Sequence, residues 1–153
     1  MPLRPAILND LDIVTSWVTS ARECALWTGP DVSFPIDIEA LRGAIDFDFV
    51  KTFSMIEGDE LVAFGQIVPK GTRRGHLARL IVAREQRRRG YGRALVGALV
   101  EEARAAGHES VSLNVDPSNG GAIALYESLG FRSAPRPDDE PDPAGSRYME
   151  MRL

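Results

Sequence analysis

A chain of 153 residues with 44% hydrophobic side chains is long enough for one ordinary core and short for two domains, so a single domain spanning residues 1–153 is expected. Its net charge of −4, from 18 basic and 22 acidic side chains, leaves no basic excess to neutralise a nucleic-acid backbone. No run approaches the roughly 18 apolar residues of a membrane span, and the opening "MPLRPAILNDLDIV" lacks the basic and apolar regions of a secretory signal. These features predict a soluble cytoplasmic protein without nucleic-acid or membrane partners. Cys24 is the only cysteine, which excludes an internal disulfide, and with two histidines no metal site is expected; Cys24 itself reads as a small buried hydrophobe.

In chain order, "LRPAI" predicts a short strand. Asn9 or Asp10 then caps a helix whose apolar positions Ile13, Val14, Trp17, Val18 and Ala21 follow helical spacing, and Gly29-Pro30 ends it. A second short helix is predicted over 38–45. "KTFSMIE" and "ELVAFGQIV" flank Gly58-Asp59 as a hairpin, and "GHLARLIV" adds a third strand. From Arg93 to Ala106, Leu95, Val96, Leu99, Val100 and Ala103 share one face, with Glu101, Glu102 and Arg104 opposite, and Gly107 stops this amphipathic helix. "SVSLNV" alternates as a strand. "SNGGAIALYESLGF" places Ala122, Leu125, Tyr126 and Leu129 on one helical face before Gly130. Phe131 onward and "RYMEMRL" supply two final strands around the Pro-rich acidic stretch "SAPRPDDEPDPAGS", which reads as a solvent-facing loop. The order predicts an α/β domain with helices on both faces of one sheet.

The densest chemistry lies in "REQRRRGYGRAL". Arg73, Arg74, Arg84, Arg87, Arg88, Arg89 and Arg93 fall between positions 73 and 93 of an otherwise acidic chain, which suits a small polyanion better than a long one. A glycine-rich loop that opens a helix presents unpaired backbone N–H groups at the positive end of the helix dipole, and phosphate is the natural guest. Gly90 and Gly92 leave room for close approach, and the arginines add charge-assisted contacts. The alternative is a solvated basic turn. Among phosphate folds, the Gly-x-x-x-x-Gly-Lys-Ser/Thr loop is absent. A dinucleotide fold would use Gly90, Gly92 and Asp116, but Leu95 stands at the third glycine position and Ala83 to Arg89 separate the strand from the first.

The segment "RLIVAREQRRRGYGRALV", with Arg87-x-x-Gly90-x-Gly92, closely resembles the acetyl-CoA-binding motif of the GCN5-related N-acetyltransferase (GNAT) superfamily. Downstream, "LNVDPSNGGAIALYESLGF" resembles that superfamily's second signature, most like the form found in ribosomal-protein N-terminal acetyltransferases. The resemblance implies a mixed, mostly antiparallel sheet splayed in the middle. It further implies acetyl-CoA as cosubstrate, without a metal, its pyrophosphate held by the backbone from Arg88 to Arg93 through Arg89, Gly90, Tyr91 and Gly92, with Arg87 beside it. The pantetheine arm would bond the strand at Leu80, Ile81 and Val82, where a splayed sheet leaves backbone groups that need partners. Asn119 would sit near that arm, although Asn119 or Ser118 also fits a helix N-cap.

By the same resemblance an amine attacks the thioester directly, and Tyr126 gives a proton to the departing thiolate. A phenol with an ordinary pKa of about 10 stays protonated at neutral pH. Tyr126 equally fits a core stripe. A backbone N–H near Ile81 or Val82 would polarise the carbonyl. The general base is less defined: Asn114 stands where relatives carry a titratable group, and His76, the candidate with an ordinary pKa near 6.5, also reads as a surface histidine opening its strand. Glu60 and Asp116 are weaker candidates, and a water chain serves as well. Trp27 and Phe34 suit an acceptor pocket or the core, and Asp138, Asp139, Glu140 and Asp142 suit either a cationic acceptor or solvent. The acceptor is a protein N-terminus or a small-molecule amine, homodimers are a family habit, and the rival function is a catalytically silent acyl-CoA-binding regulator.

Overall fold

The computed structural model describes residues 2–71, 73–141 and 145–153. Seven strands form one sheet in the order β1-β2-β3-β4-β5-β7-β6. In chain order these are β1 (Leu3–Pro5), β2 (Lys51–Glu57), β3 (Glu60–Lys70), β4 (Arg74–Val82), β5 (Ser110–Val115), β6 (Arg132–Ser133) and β7 (Arg147–Arg152). Every neighbouring pair is antiparallel except β4 and β5. That parallel pair requires a crossover, which the amphipathic helix α4 (Tyr91–Ala105) provides. The mixed sheet with helices on both faces agrees with the reading of the sequence.

The N-terminal region differs from expectation. Instead of one helix through Ala21, α1 (Asp10–Ser16) stops and α2 (Ala21–Thr28) restarts. Local side chains explain the break. Ser20 Oγ accepts from Glu23 N, and Glu23 Oε1 accepts from Thr19 N and Thr19 Oγ1, a reciprocal cap that starts a new helix. Asn9 precedes α1 but its side chain caps nothing. Asp10 turns inward, taking hydrogen bonds from Arg4, Ile7 N and Ser54 Oγ. Burial raises its pKa, but those bonds outweigh burial and hold it below the usual carboxylate range. α3 (Ile38–Ala44) has Asp37 as its cap, and Gly29 closes α2 at φ +85°.

Two apolar clusters flank the sheet. One joins the buried stripe of α4, Leu95, Val96, Leu99, Val100 and Ala103, to Ala63, Ile67, Leu77, Val111, Leu113, Phe131 and Met149. The other packs α1, α2 and α3 against Leu61, Phe64 and Ala83 through Leu11, Val14, Cys24 and Leu41. Cys24 is buried, as expected.

Gly65 is a close-approach position that periodicity did not expose. A Cβ there would lie 2.9 Å from both Leu80 Cδ2 and Leu99 Cδ1, in the layer between β3 and α4. The Gly65→Ala variant is expected to lose about 1–3 kcal/mol through overpacking. In a thermal melt, an unchanged midpoint would contradict this.

Candidate active site

The hydrogen-bond ladder between β4 and β5 covers only Arg74↔Ser110, Gly75↔Val111 and His76↔Ser112. β5 continues to pair with β7 out to Val115↔Arg147, and β4 continues to pair with β3 out to Val82↔Ala63, but the two strands no longer pair with each other. This is the central splay implied by the motif resemblance. Ala83 N donates to Val62 O at 2.9 Å, so by strand alternation the N–H and C=O of Val82 point away from β3 and into the opening. Arg87 Nε donates to that Val82 carbonyl at 3.2 Å.

A cleft of about 450 Å³, its open mouth included, fills the splay on the α4 side. It is lined by Leu80, Ile81, Val82, Gly92, Leu95, Val96, Ala122, Leu125 and Tyr126. Five of these, Leu80, Ile81, Val82, Gly92 and Tyr126, are residues the motifs had marked. The stripe predicted on α5 (Gly120–Leu129) is therefore only half-buried: Ala122, Leu125 and Tyr126 face the cleft, and Ile123 is the residue that enters the core. Leu95, Val96, Ala122 and Leu125 had been assigned to packing alone. Nothing in helical periodicity distinguishes a core from a cleft wall.

At the mouth, a 3₁₀ turn (Arg84–Gln86) leads into the loop that opens α4. Gly90 is the N-cap at φ +84°, Arg88 is at φ +65°, and no side chain caps the helix or places an acid in its first turn. Among the described residues, none of the backbone N–H groups from Arg88 to Arg93 has a hydrogen-bond partner, and the first bond of the helix is Ala94 N to Gly90 O. Six consecutive unpaired donors at a helix N-terminus are chemically suited to an anion. Arg89 reaches Gln86 and Arg93 reaches Ser128 Oγ, which pins the sides of the loop, while Tyr91 packs partly against the core. A Cβ on Gly92 would meet only Leu125, at 3.9 Å, so no contact within the protein requires glycine there.

Tyr126 projects from α5 into the cleft, its ring held edge-on to Phe131 at 6.0 Å. Burial raises its pKa above the ordinary phenol value, so the hydroxyl is protonated at neutral pH. Asn119 acts as the helix cap: its Oδ1 accepts from Ala122 N at 3.1 Å, and it does not line the cleft.

His76 is not a surface histidine. It is 6% exposed, with Nδ1 2.7 Å from Ser112 Oγ and 3.2 Å from Glu140 Oε1, and Nε2 3.4 Å from Asn114 Nδ2. Burial, reinforced by the charges of Arg74, Lys70, Arg79 and Arg136, lowers its pKa to about 3. It is therefore neutral at pH 7 and a poor proton acceptor. The acidic loop also departs from expectation. Glu140 folds inward, buried, onto Arg74 at 3.1 Å; Asp139 bonds the same guanidinium, Asp138 is exposed, and Asp142 lies outside the described residues. The Arg74 guanidinium gives the buried Glu140 carboxylate the partner that burial of a charge requires. Trp27 stacks edge-on to Phe64 at 6.1 Å and belongs with the second cluster, and Phe34 is exposed. Among the described residues there is no group of acidic, cysteine or histidine side chains arranged for a metal ion, and no helix is long and apolar enough to cross a membrane.

Comparison with known proteins identifies the family. The Acetyltransferase (GNAT) family profile matches residues 14–131. YsnE of Bacillus subtilis, an uncharacterized N-acetyltransferase, is 28% identical over 130 residues, 84% of this chain and 83% of its own. The ribosomal protein bS18-alanine N-acetyltransferase of Escherichia coli (strain K12) is 45% identical over 58 residues, only 38% of this chain and 39% of that protein. Two solved structures share the fold. The ribosomal-protein-alanine N-acetyltransferase of Brucella melitensis has a TM-score of 0.76 at 21% identity, covering 100% of both chains. The spermidine N-acetyltransferase of Vibrio cholerae, in complex with CoA and spermine, has a TM-score of 0.78 at 18% identity, covering 99% of this chain and 94% of that one. With its family profile, splayed sheet and helix-opening glycine loop together, the chain belongs to the GNAT acetyltransferase family and is an acetyl-CoA-dependent N-acetyltransferase.

Proposed function

We infer that the Arg88–Arg93 loop holds the pyrophosphate of acetyl-CoA, that the splay holds its pantetheine arm, and that Tyr126 serves the leaving sulfur as an acetyl group passes to a primary amine. The observation that carries this reading is the run of six unpaired N–H groups opening directly onto a cleft walled by an unpaired strand edge. Bound acetyl-CoA supplies a thioester whose carbonyl carbon the amine attacks and whose thiolate departs. The Val82 N–H, aimed into the opening, is the donor suited to polarise that carbonyl. Tyr126 donates a hydrogen bond and then a proton to sulfur. From ordinary values of about 10 for a phenol and 8.5 for a thiol, this transfer runs uphill by about 2 kcal/mol, and burial of the phenol adds to it. That is small against a catalysed barrier, and it keeps the donor protonated at working pH.

Asn114 cannot take a proton and His76 holds one poorly, so the acceptor enters as the neutral amine, its first proton having gone to solvent; the second, released from nitrogen as the amide forms, passes to water, and water returns a proton to the Tyr126 phenolate. The acceptor itself is a small-molecule amine or a protein N-terminus: the local likeness to the bS18-alanine enzyme favours the latter, and the fold shared with the spermidine enzyme favours the former. The test is release of free thiol from acetyl-CoA with a panel of amines of graded pKa. Below each acceptor's own pKa, kcat/KM is expected to rise about tenfold per pH unit. A common inflection near pH 6.5 for all acceptors would instead reveal a histidine base, and thiol release from no amine would contradict the acetyltransferase reading.

A further inference from the structure

Arg79 takes no part in the chemistry assigned above. It sits at a register break in β4: between the pairs Phe64↔Ile81 and Gln66↔Ala78, the two residues Arg79 and Leu80 face the single residue Gly65. Arg79 is at φ +50°, a conformation that few non-glycine residues adopt. Such a bulge re-aims side chains. Leu80 goes to the cleft wall beside α4, whereas the charge of Arg79 is felt by Asp46 at the end of α3, by Glu140 of the β6–β7 loop and by His76. Neither these groups nor Arg79 belong to the cleft lining, so the bulge carries Arg79 away from the wall that Leu80 enters.

There the guanidinium is half-buried, and among the described residues it has no hydrogen bond and no ion pair. Burial lowers its pKa, with Asp46 and Glu140 opposing. Glu140 is already committed, at 3.1 Å to Arg74 and 3.2 Å to His76. The indole N–H of Trp27, which stacks on Phe64 beside the same register break, is a second buried donor without an acceptor. Gln66 Oε1 is an unmet acceptor on this stretch of β3, but one amide oxygen matches few of the five N–H donors of an arginine. Unmet donors in excess are the imbalance that an anion on the incoming acceptor corrects, and a planar fork of N–H groups fits the two oxygens of a carboxylate.

We propose that Arg79 is the acceptor-recognition residue, and that the preferred acceptor is an amine carrying a carboxylate within a few bonds of the reacting nitrogen, as in an amino acid or a peptide with an acidic first residue. This rests on the acetyl-transfer reading, with acetyl-CoA in the cleft on one side of the splay and the amine entering from the other. The experiment compares kcat/KM for matched acceptors: an amino acid, its amide, the amine lacking the carboxylate, and peptides beginning with Glu or Gln. Wild-type protein is expected to prefer a carboxylate-bearing acceptor by about 10-fold or more, in line with a charged hydrogen-bonded pair. In Arg79→Met the preference should collapse towards unity with the Kd for acetyl-CoA unchanged, and Arg79→Lys should restore part of it. Equal use of acid and amide by the wild-type protein, or a preference that survives Arg79→Met, would overturn the proposal. The wild-type comparison decides even if the Met variant fails to fold. Absence of transfer to every acceptor would overturn the acetyl-transfer reading together with this one, whereas transfer blind to the carboxylate overturns this one alone.

Discussion

Tyr126→Phe is expected to lower kcat by about 100-fold or more, while the Kd for acetyl-CoA stays within about twofold. The variant removes one oxygen from a wall of the cleft and leaves the ring where Phe131 holds it. Among the described residues the hydroxyl has no hydrogen-bond partner, so its loss orphans no buried group and should leave the melting temperature unchanged. What it removes is the donor to the leaving sulfur, a contribution typically of 10²–10⁴ in rate for a placed general acid. Thiol-release kinetics beside a calorimetric titration separate the two quantities. Unchanged turnover would remove Tyr126 from the chemistry and return it to the half-buried stripe of α5.

Gly92→Val carries the second large effect, on binding. Gly92 lies outside the left-handed region, and its absent Cβ has only Leu125 near it, so the protein alone tolerates a side chain. Valine is no worse than glycine by intrinsic helix propensity, so the melting temperature is expected to stay within about 1–2 °C of the wild-type value. The same methyl groups would project into the cleft beside the unpaired N–H groups of the cradle. Affinity for acetyl-CoA is expected to fall at least about 30-fold with stability nearly intact. Gly90 would be a less clean choice, because its φ of +84° makes any side chain there strained whether or not a ligand binds. Equal affinity in a folded Gly92→Val protein would contradict the cradle.

The sequence made the framework legible where one signal dominated. Leu95, Val96, Leu99, Val100 and Ala103 of α4 repeat at helical spacing and all are buried, and Gly58-Asp59 turns the β2–β3 hairpin as two-residue turn chemistry suggests. Helix α1 was over-extended because Trp17 and Val18 continue its periodicity, while the Thr19, Ser20 and Glu23 cap that interrupts it is a local polar signal that periodicity ignores. Leu80, Ile81, Val82, Gly92 and Tyr126 of the candidate cleft were marked by the two motifs, since a helix-opening glycine loop is a matter of backbone and needs no tertiary information. The rest depended on distant pairing. His76 is buried because Glu140, 64 positions later, folds back over it, and Arg79 is re-aimed by a bulge opposite Gly65. Neither relation leaves a pattern in the local sequence. Arg79 opens the first motif segment, yet the motif gives it no role, and His76 lies just ahead of that segment.

The most direct test of the central claim is a calorimetric titration of the purified protein with acetyl-CoA, run beside NAD and ATP. Saturable one-to-one binding of acetyl-CoA, with neither nucleotide displacing it at comparable concentration, is the expected result for six backbone donors joined to an apolar cleft that accepts a pantetheine arm. No binding, or equal binding of all three, would contradict it and leave the Arg84–Arg93 segment as a solvated basic turn.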